Sequence, residues 1–304
     1  MTPDLEARIA ERVRSIETTP AIPSIFIPLL EMLRLPPDQV KLDKVVELVS
    51  YDNTIAAQCL RVASSPLFGM TKSPESIKGA VISLGLRRVE TILLTCCLSR
   101  AFPARNWIID PGVFWRHSLG CALVCRKFAE RLQGVDSDEA YMAGLLHDIG
   151  FLVNCLAFPD EFSKAMGMAV EQEMSFDEAE LQTMGFTHQD TGNALAQQWH
   201  LGNRMTQVIA CHHAPETSEA SVQSLAAVVH LGDLLCRMRG LGYGYYEGRR
   251  VDLIGNPAWG ILLQEHAELD RVDLARFTFE LDESVAEVCE LVATIFGGAT
   301  AAKA

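Results

Sequence analysis

Apolar residues recur along this chain at three- and four-residue steps, the spacing of one face of an α-helix. Leu5, Ile9, Val13 and Ile16 form such a stripe over residues 4–16. Pro20, Pro23, Pro28, Pro36 and Pro37 punctuate the next stretch and leave a helix around 27–35. Residues 42–50 and 54–64 read as a helix pair broken at Tyr51-Asp52-Asn53, and 64–69 as a turn. Ser73-Pro74 has the form of a helix start, a capping serine with proline at the first helical position. Gly85 divides that helix from 86–101. Segments of apolar–polar alternation are missing, so the expected fold class is all-α, without a parallel sheet.

A second block of helices begins at Asp110-Pro111, after a connector at 102–107. The boundary is placed near residue 105, giving an N-terminal helical lobe, 1–105, packed on a helical domain, 106–304. Phe114, His117, Cys121, Val124, Cys125, Phe128 and Leu132 share one stripe of the helix over 111–133, which turns His117 inward. Asp136 with Glu139 resembles a capping box ahead of an apolar run that ends in His147-Asp148-Ile149-Gly150. Ser175 with Glu178 caps a helix that ends at Gly185. Thr187 caps the next and puts His188 in its first turn, where the positive helix end favours a neutral imidazole. Asn203 opens a helix that closes on Cys211-His212-His213 before Pro215. Residues 222–238 form a long apolar helix that contains His230 and Asp233. A buried carboxylate there is costly without a cation or strong donors.

Residues 242–256, with Arg249 and Arg250, read as an exposed glycine-rich connector, 257–268 and 282–296 as helices, and 297–304 as a frayed tail. His200 and His266 read as surface residues.

Composition narrows the function classes. The 304 residues carry a net charge of −13, with no basic patch to offset it, which argues against nucleic acid or an anionic membrane as the main partner. No stretch reaches the roughly 18 uncharged apolar residues of a membrane span. The N-terminus lacks the basic start and apolar core of a signal peptide. The nine cysteines are an odd set without CxxC spacing, and Cys59, Cys96, Cys97 and Cys289 fall in apolar helical runs. They read as reduced core residues of a cytoplasmic protein.

Several features have a plain structural reading. His147 sits where an imidazole can meet the negative end of a helix dipole. Cys121 and Cys125, one turn apart beside His117, are packing residues or, less simply, thiolate zinc ligands. The helix pair around Gly85 resembles a helix-turn-helix with Arg87 and Arg88, but Val81, Ile82, Leu84, Leu86, Val89, Ile92, Leu93 and Leu94 make it a core element.

His117, His147, Asp148, His188, His212, His213 and Asp233 are nonetheless imidazoles and carboxylates, good ligands for divalent ions, at helix ends or on apolar faces. In this order they resemble the H…HD…D pattern of the HD superfamily of metal-dependent phosphohydrolases. The N-terminal half, with Ile22-Pro23, the runs 48–52 and 60–69, Ser76-Ile77, Ala80-Val81 and Leu84-Gly85, is similar to the HDOD (HD-related output domain) family, and the likeness covers about residues 18–240.

That resemblance implies one metal on His117, His147, Asp148 and Asp233. It implies a second on His188, His212 and His213, with Asp148 bridging, as in the related HD-GYP phosphodiesterases. His230 is a supporting hydrogen-bond donor or simply packs. The metals implied are one or two ions of iron, manganese or zinc. The chain departs from HD-GYP enzymes at Phe151, where they carry a phosphate-holding lysine. His213 is followed by Ala214-Pro215-Glu216-Thr217 where they carry the GYP loop, and Val113 stands where some relatives place a further carboxylate. Gly242-Tyr243-Gly244-Tyr245-Tyr246 lies too late in the chain to substitute for that loop. The expected function is a cytoplasmic signal-transduction module with a retained metal site, a protein partner and a nucleotide as a further candidate ligand. The alternatives are an active phosphohydrolase on a nucleotide or cyclic dinucleotide, and a protein with a purely structural metal.

Overall fold

Among the described residues, helical periodicity becomes α-helix. The computed structural model describes residues 7–11, 25–33, 35, 39–64, 73–102, 107–244, 252–267, 269 and 274–296, and among these residues there is no strand. The expected turn at 65–69, most of the 102–107 connector, Arg249 and Arg250, the tail 297–304 and much of the helix at 4–16 lie outside the described residues. The chain divides into two compact units: Thr18–Arg105 with Ala286–Ala304, and Met1–Glu17 with Asn106–Val285.

The first unit contains α1 (Phe26–Leu33), α2 (Leu42–Ser50), α3 (Asn53–Ala63), α4 (Ile77–Leu84) and α5 (Leu86–Ala101). Asp52 caps α3, its carboxylate accepting from the Thr54 and Ile55 N–H groups at 3.0 and 3.1 Å. The helix expected to open at Ser73-Pro74 starts later. Ser76, extended at φ −151° and ψ 158°, offers its hydroxyl to the Gly79 N–H at 3.0 Å and takes the cap position itself. Gly85, at φ +86°, ends α4 in a conformation that glycine adopts without strain. The side chains of Val89 through Leu98 are all buried, so α5 is a core helix, not a DNA-reading one. Ile82, assigned to the core by its apolar neighbours, is exposed.

The second unit is built from α6 (Pro111–Ala129), α7 (Ser137–Leu146), α8 (Ile149–Ala157), α9 (Pro159–Glu171), α10 (Phe176–Met184), α11 (His188–Gln198), α12 (Asn203–Cys211), α13 (Ala220–Met238) and α14 (Pro257–Glu265). α15 (Leu274–Phe296) starts eight residues before the helix expected at 282–296, and its Phe277 and Leu281 join this core. Cys289, read as a core residue, is exposed on α15. Phe128 anchors the interior, with ring centroids 6.1 Å from Trp259 and 5.4 Å from Phe277.

Starts and stops obey the capping signals. Asp110 accepts from the Gly112 N–H at 2.8 Å ahead of Pro111. Asp136 accepts from the Asp138 and Glu139 N–H groups. Capping boxes close at Ser175/Glu178 and at Thr187/Asp190. The stretch Ser137–Ala157 is long and apolar enough to cross a membrane by length and composition, contrary to the count of uncharged residues, but 94% of its apolar window is buried inside the protein. It is core, broken between α7 and α8 where Asp148 leaves helical geometry at φ −98° and ψ 18°.

Candidate metal centre

Two close approaches bring the helices of the centre together. A methyl group on Gly144 would sit 2.7 Å from the Cys121 carbonyl oxygen, so α6 and α7 cross at a distance that only glycine permits. One on Gly150 would sit 1.8 Å from the His188 carbonyl oxygen, so the start of α8 rests against the first turn of α11. The first contact places His117 beside His147, and the second places Asp148 beside His188.

Asp148 is the hub. Its Oδ2 lies 3.2 Å from His117 Nε2 and 3.3 Å from His147 Nε2, and its Oδ1 lies 3.4 Å from His188 Nε2 and 3.2 Å from His212 Nε2. His117 Nε2 is also 3.3 Å from Asp233 Oδ1. His188 Nε2 is 3.1 Å from His213 Nε2. All seven residues singled out in the sequence therefore meet in one place. They fall into His117, His147 and Asp233 on one side, joined by Cys121, and Asp148, His188, His212 and His213 on the other, with the ligand atoms of each group within 4.8 Å of one another.

The far nitrogen of each ring explains why these faces converge. His117 Nδ1 lies 2.7 Å from the Leu241 carbonyl oxygen, His147 Nδ1 2.8 Å from Gly144 O, and His212 Nδ1 2.8 Å from Ile209 O. His188 Nδ1 lies 2.6 Å from Glu180 Oε2. These oxygens can only accept, so each Nδ1 carries a proton and Nε2 is the nitrogen turned toward the cluster. His147 and His212 thus satisfy the last carbonyls of α7 and α12, as a helix-end histidine should, and still turn Nε2 toward Asp148. The Nε2 atoms of His117 and His147, and of His188 and His212, lie 3.3 Å apart, a spacing that needs a proton or a metal ion between them. Asp148 Oδ1 is buried and receives no hydrogen bond. Imidazole and carboxylate donors in this arrangement fit two divalent ions.

The electrostatics have the same origin. Burial works against the charged form of His117, but hydrogen bonds and charge from Asp148 and Asp233 outweigh it and push its pKa up to about 10. At His188 burial is again outweighed, here by Glu180 and Asp148, and the pKa rises to about 9. The helix end was expected to favour a neutral His188; the adjacent Glu180 carboxylate reverses that. Burial wins at His212, down to about 4, and holds His213 well below its ordinary value with help from its two histidine neighbours. Burial opposes the Asp148 and Asp233 anions, yet His147 beside the first and Arg237 beside the second hold both well below the usual carboxylate range. Burial and Cys236 keep the Cys121 thiol well above its usual range, protonated 3.6 Å from His117 Nε2.

Sequence reasoning missed four supporting residues. Glu180, fully buried on α10, accepts from both the backbone N–H and Nδ1 of His188 and from Asn154 Nδ2 at 2.8 Å. Arg237 grips Asp233 with Nε to Oδ1 and Nη2 to Oδ2, both at 2.7 Å. It is the cation that the buried Asp233 required, and its i,i+4 spacing was readable. Leu241 and Tyr243 come from a stretch at and beside the expected exposed connector. Tyr243 is in fact buried, and its hydroxyl donates to Asp148 Oδ2 at 2.9 Å. Its ring stacks on Phe151, with centroids 4.1 Å apart and planes 13° apart.

His230 stands behind the centre. Asn256 Nδ2 donates to its Nε2 at 3.1 Å, so its Nδ1–H donates to the His212 carbonyl at 2.8 Å. His266, expected on the surface, is buried against the Ser224 hydroxyl at 2.9 Å, away from the centre.

Comparison with known proteins finds the same helical fold. A crystal structure of an HDOD domain protein of unknown function from Geobacter sulfurreducens superposes with a TM-score of 0.83 at 28% identity, covering 97% of this chain and 99% of that one. A provisionally assigned phosphohydrolase from Shewanella amazonensis SB2B shares the fold with a TM-score of 0.72 at 20% identity, over 93% and 97% of the two chains. An uncharacterized protein of Treponema pallidum (strain Nichols) is 27% identical over 234 residues, which make up 74% of this chain and 44% of that protein. This chain thus spans less than half the length of that relative. The HDOD domain model matches residues 19–215, and with its helical fold and clustered histidines and aspartates the chain belongs to the HDOD family.

Proposed function

We propose that this chain is a regulatory module that retains the HD-type metal centre but not the means of holding a cyclic dinucleotide for rapid hydrolysis. The observation that carries this reading is the cover over Asp148. Phe151, which stands where HD-GYP enzymes carry lysine, is buried and stacked on Tyr243, so an apolar ring and a phenol occupy the face from which a phosphate would be held. Of the seven proposed ligands, only His213 is not buried.

His117, His147, Asp233 and Asp148 Oδ2 would hold one divalent ion, and His188, His212, His213 and Asp148 Oδ1 the second. Iron, manganese or zinc suit these donors. When bound, such ions supply Lewis-acid chemistry. Glu180 fixes the His188 ring, Arg237 fixes the Asp233 carboxylate, and Tyr243 with Phe151 excludes water from Asp148. A lost charge-assisted phosphate contact costs about 1.5–3 kcal/mol, or about one to two orders of magnitude in rate. On this reading the module works in the cytoplasm through a protein partner, with a nucleotide as a second ligand.

Metal analysis of the purified protein, followed by a phosphodiesterase and nucleotidase panel on the metal-loaded form, tests the reading. Bound metal with cyclic-di-GMP turnover far below that of an HD-GYP enzyme assayed in parallel is the expected result. Turnover at HD-GYP rates would instead establish a phosphohydrolase.

A further inference from the structure

The Tyr243 hydroxyl donates to Asp148 Oδ2 from beside the proposed ligands. Asp148 Oδ2 has three neighbours at similar distances: His117 Nε2 at 3.2 Å, His147 Nε2 at 3.3 Å and the Tyr243 hydroxyl at 2.9 Å. Donors on adjacent vertices of an octahedral ion, at about 2.0–2.2 Å from the metal, lie about 3 Å apart. The hydroxyl is therefore spaced from Oδ2 as the two imidazole nitrogens are.

The ring is held in that position from several sides. It stacks on Phe151 and, with centroids 6.3 Å apart, on Phe114, and its centroid is 4.6 Å from that of His117. The backbone two residues earlier is tied to the same centre, because the Leu241 carbonyl accepts from His117 Nδ1. A side chain recruited only to fill space needs neither this anchor nor a hydroxyl aimed at the bridging carboxylate.

We infer that Tyr243 is itself a ligand of the ion held by His117, His147, Asp148 and Asp233. The inference rests on the proposed metal centre and extends it to a residue outside the histidine and aspartate set. Coordination would require the phenol proton, now directed at Asp148 Oδ2, to be released to solvent, and Tyr243 would hold the ion through its phenolate oxygen. An additional anionic oxygen favours the more highly charged ion, so the centre would stabilise iron(III) relative to iron(II). It also fills a coordination position that a substrate oxygen would need.

Iron is the probe for the test. The 304-residue chain is loaded with iron(II), oxidised in air, and examined by metal analysis, visible absorption and resonance Raman scattering, alongside Tyr243→Phe and phenylalanine variants of the other four tyrosines, Tyr141→Phe among them. Tyr141 is buried under the Arg126 guanidinium and serves as the control. Expected are a visible charge-transfer band with tyrosinate vibrations in the wild type and in Y141F, and loss of both in Y243F, which keeps the ring and its stacking. Should Y243F lose its iron as well, a tyrosinate signature kept in Tyr51→Phe, Tyr141→Phe, Tyr245→Phe and Tyr246→Phe still assigns the ligand to Tyr243. Iron-loaded wild type without tyrosinate vibrations, or a band that survives in Y243F, overturns the inference alone. Wild type that binds no iron, manganese or zinc overturns the metal centre on which it rests.

Discussion

His188 is held by Glu180 from two directions, its backbone N–H donating at 2.8 Å and its Nδ1–H at 2.6 Å to the same carboxylate oxygen. A carboxylate behind an imidazole fixes the tautomer and strengthens the lone pair at Nε2, and losing such a partner typically lowers metal affinity about 10–100-fold. Glu180→Gln should weaken one of two bound ions by that factor and leave the ion at His117 and His147 in place. Titration calorimetry resolves the two sites, and unchanged affinity at both would deny Glu180 this role.

Asp148 should be the most sensitive position of all. Its two oxygens face different histidine groups, Oδ2 toward His117 and His147 and Oδ1 toward His188 and His212. Asp148→Ala is expected to remove both ions, in contrast to the loss at one site in the Glu180 variant. Wild-type metal content in Asp148→Ala, read by elemental analysis, would show that the cage is wrongly assigned.

Protons and metals compete for these nitrogens, so affinity should depend on pH. Despite burial, Asp148 and Asp233 raise His117 to about 10, and Glu180 and Asp148 raise His188 to about 9. Below those values the metal-free rings hold protons that an ion must displace. Affinity should therefore rise with pH, by about tenfold per unit for each proton released. Calorimetry in buffers of different ionisation enthalpy counts those protons, and affinity that stays flat between about pH 6 and pH 8 would contradict the sign.

Restoring the HD-GYP lysine at Phe151 should not restore an enzyme. Phe151 is buried, with ring centroids 4.9 Å from Phe162, 5.0 Å from Phe176 and 4.1 Å from Tyr243. Phe151→Lys would exchange those contacts for a buried ammonium and should destabilise the fold by about 3–5 kcal/mol. A lower melting temperature without gain in cyclic-di-GMP turnover is expected; a stable variant with turnover would mean that the cover opens readily.

Gly150→Ala probes the contact that brings α8 against α11. The added methyl would lie 1.8 Å from the His188 carbonyl oxygen, which is backbone and cannot rotate away. Destabilisation of about 1–3 kcal/mol or more is expected, with reduced metal binding, because His188 must move. An unchanged melting curve and metal content would show that the two helices can separate at no cost.

The helices and the seven principal residues of the centre were legible in the chain because their signals are local. Periodicity over one or two turns marks a buried face, and a cap acts within three residues of its helix start, as Asp110, Ser175 and Thr187 do. His117, His147, Asp148, His188, His212, His213 and Asp233 each lie at a helix end or on an apolar stripe, so each could be marked on its own segment. Their supports could not be marked that way. Tyr243 meets Asp148 across 95 residues and Leu241 meets His117 across 124, out of a glycine-flanked stretch whose composition reads as solvent-exposed. Glu180 looks like any charged helix position until the fold buries it behind His188. His266 and Cys289 were misplaced for the same reason, since one residue's burial depends on what packs over it. Local spacing marked the ligand-type side chains, and their likeness to the H…HD…D pattern joined them into one metal-binding set. Only the tertiary structure decided which oxygens hold their far nitrogens and which ring closes over them, because those contacts arise where distant segments meet.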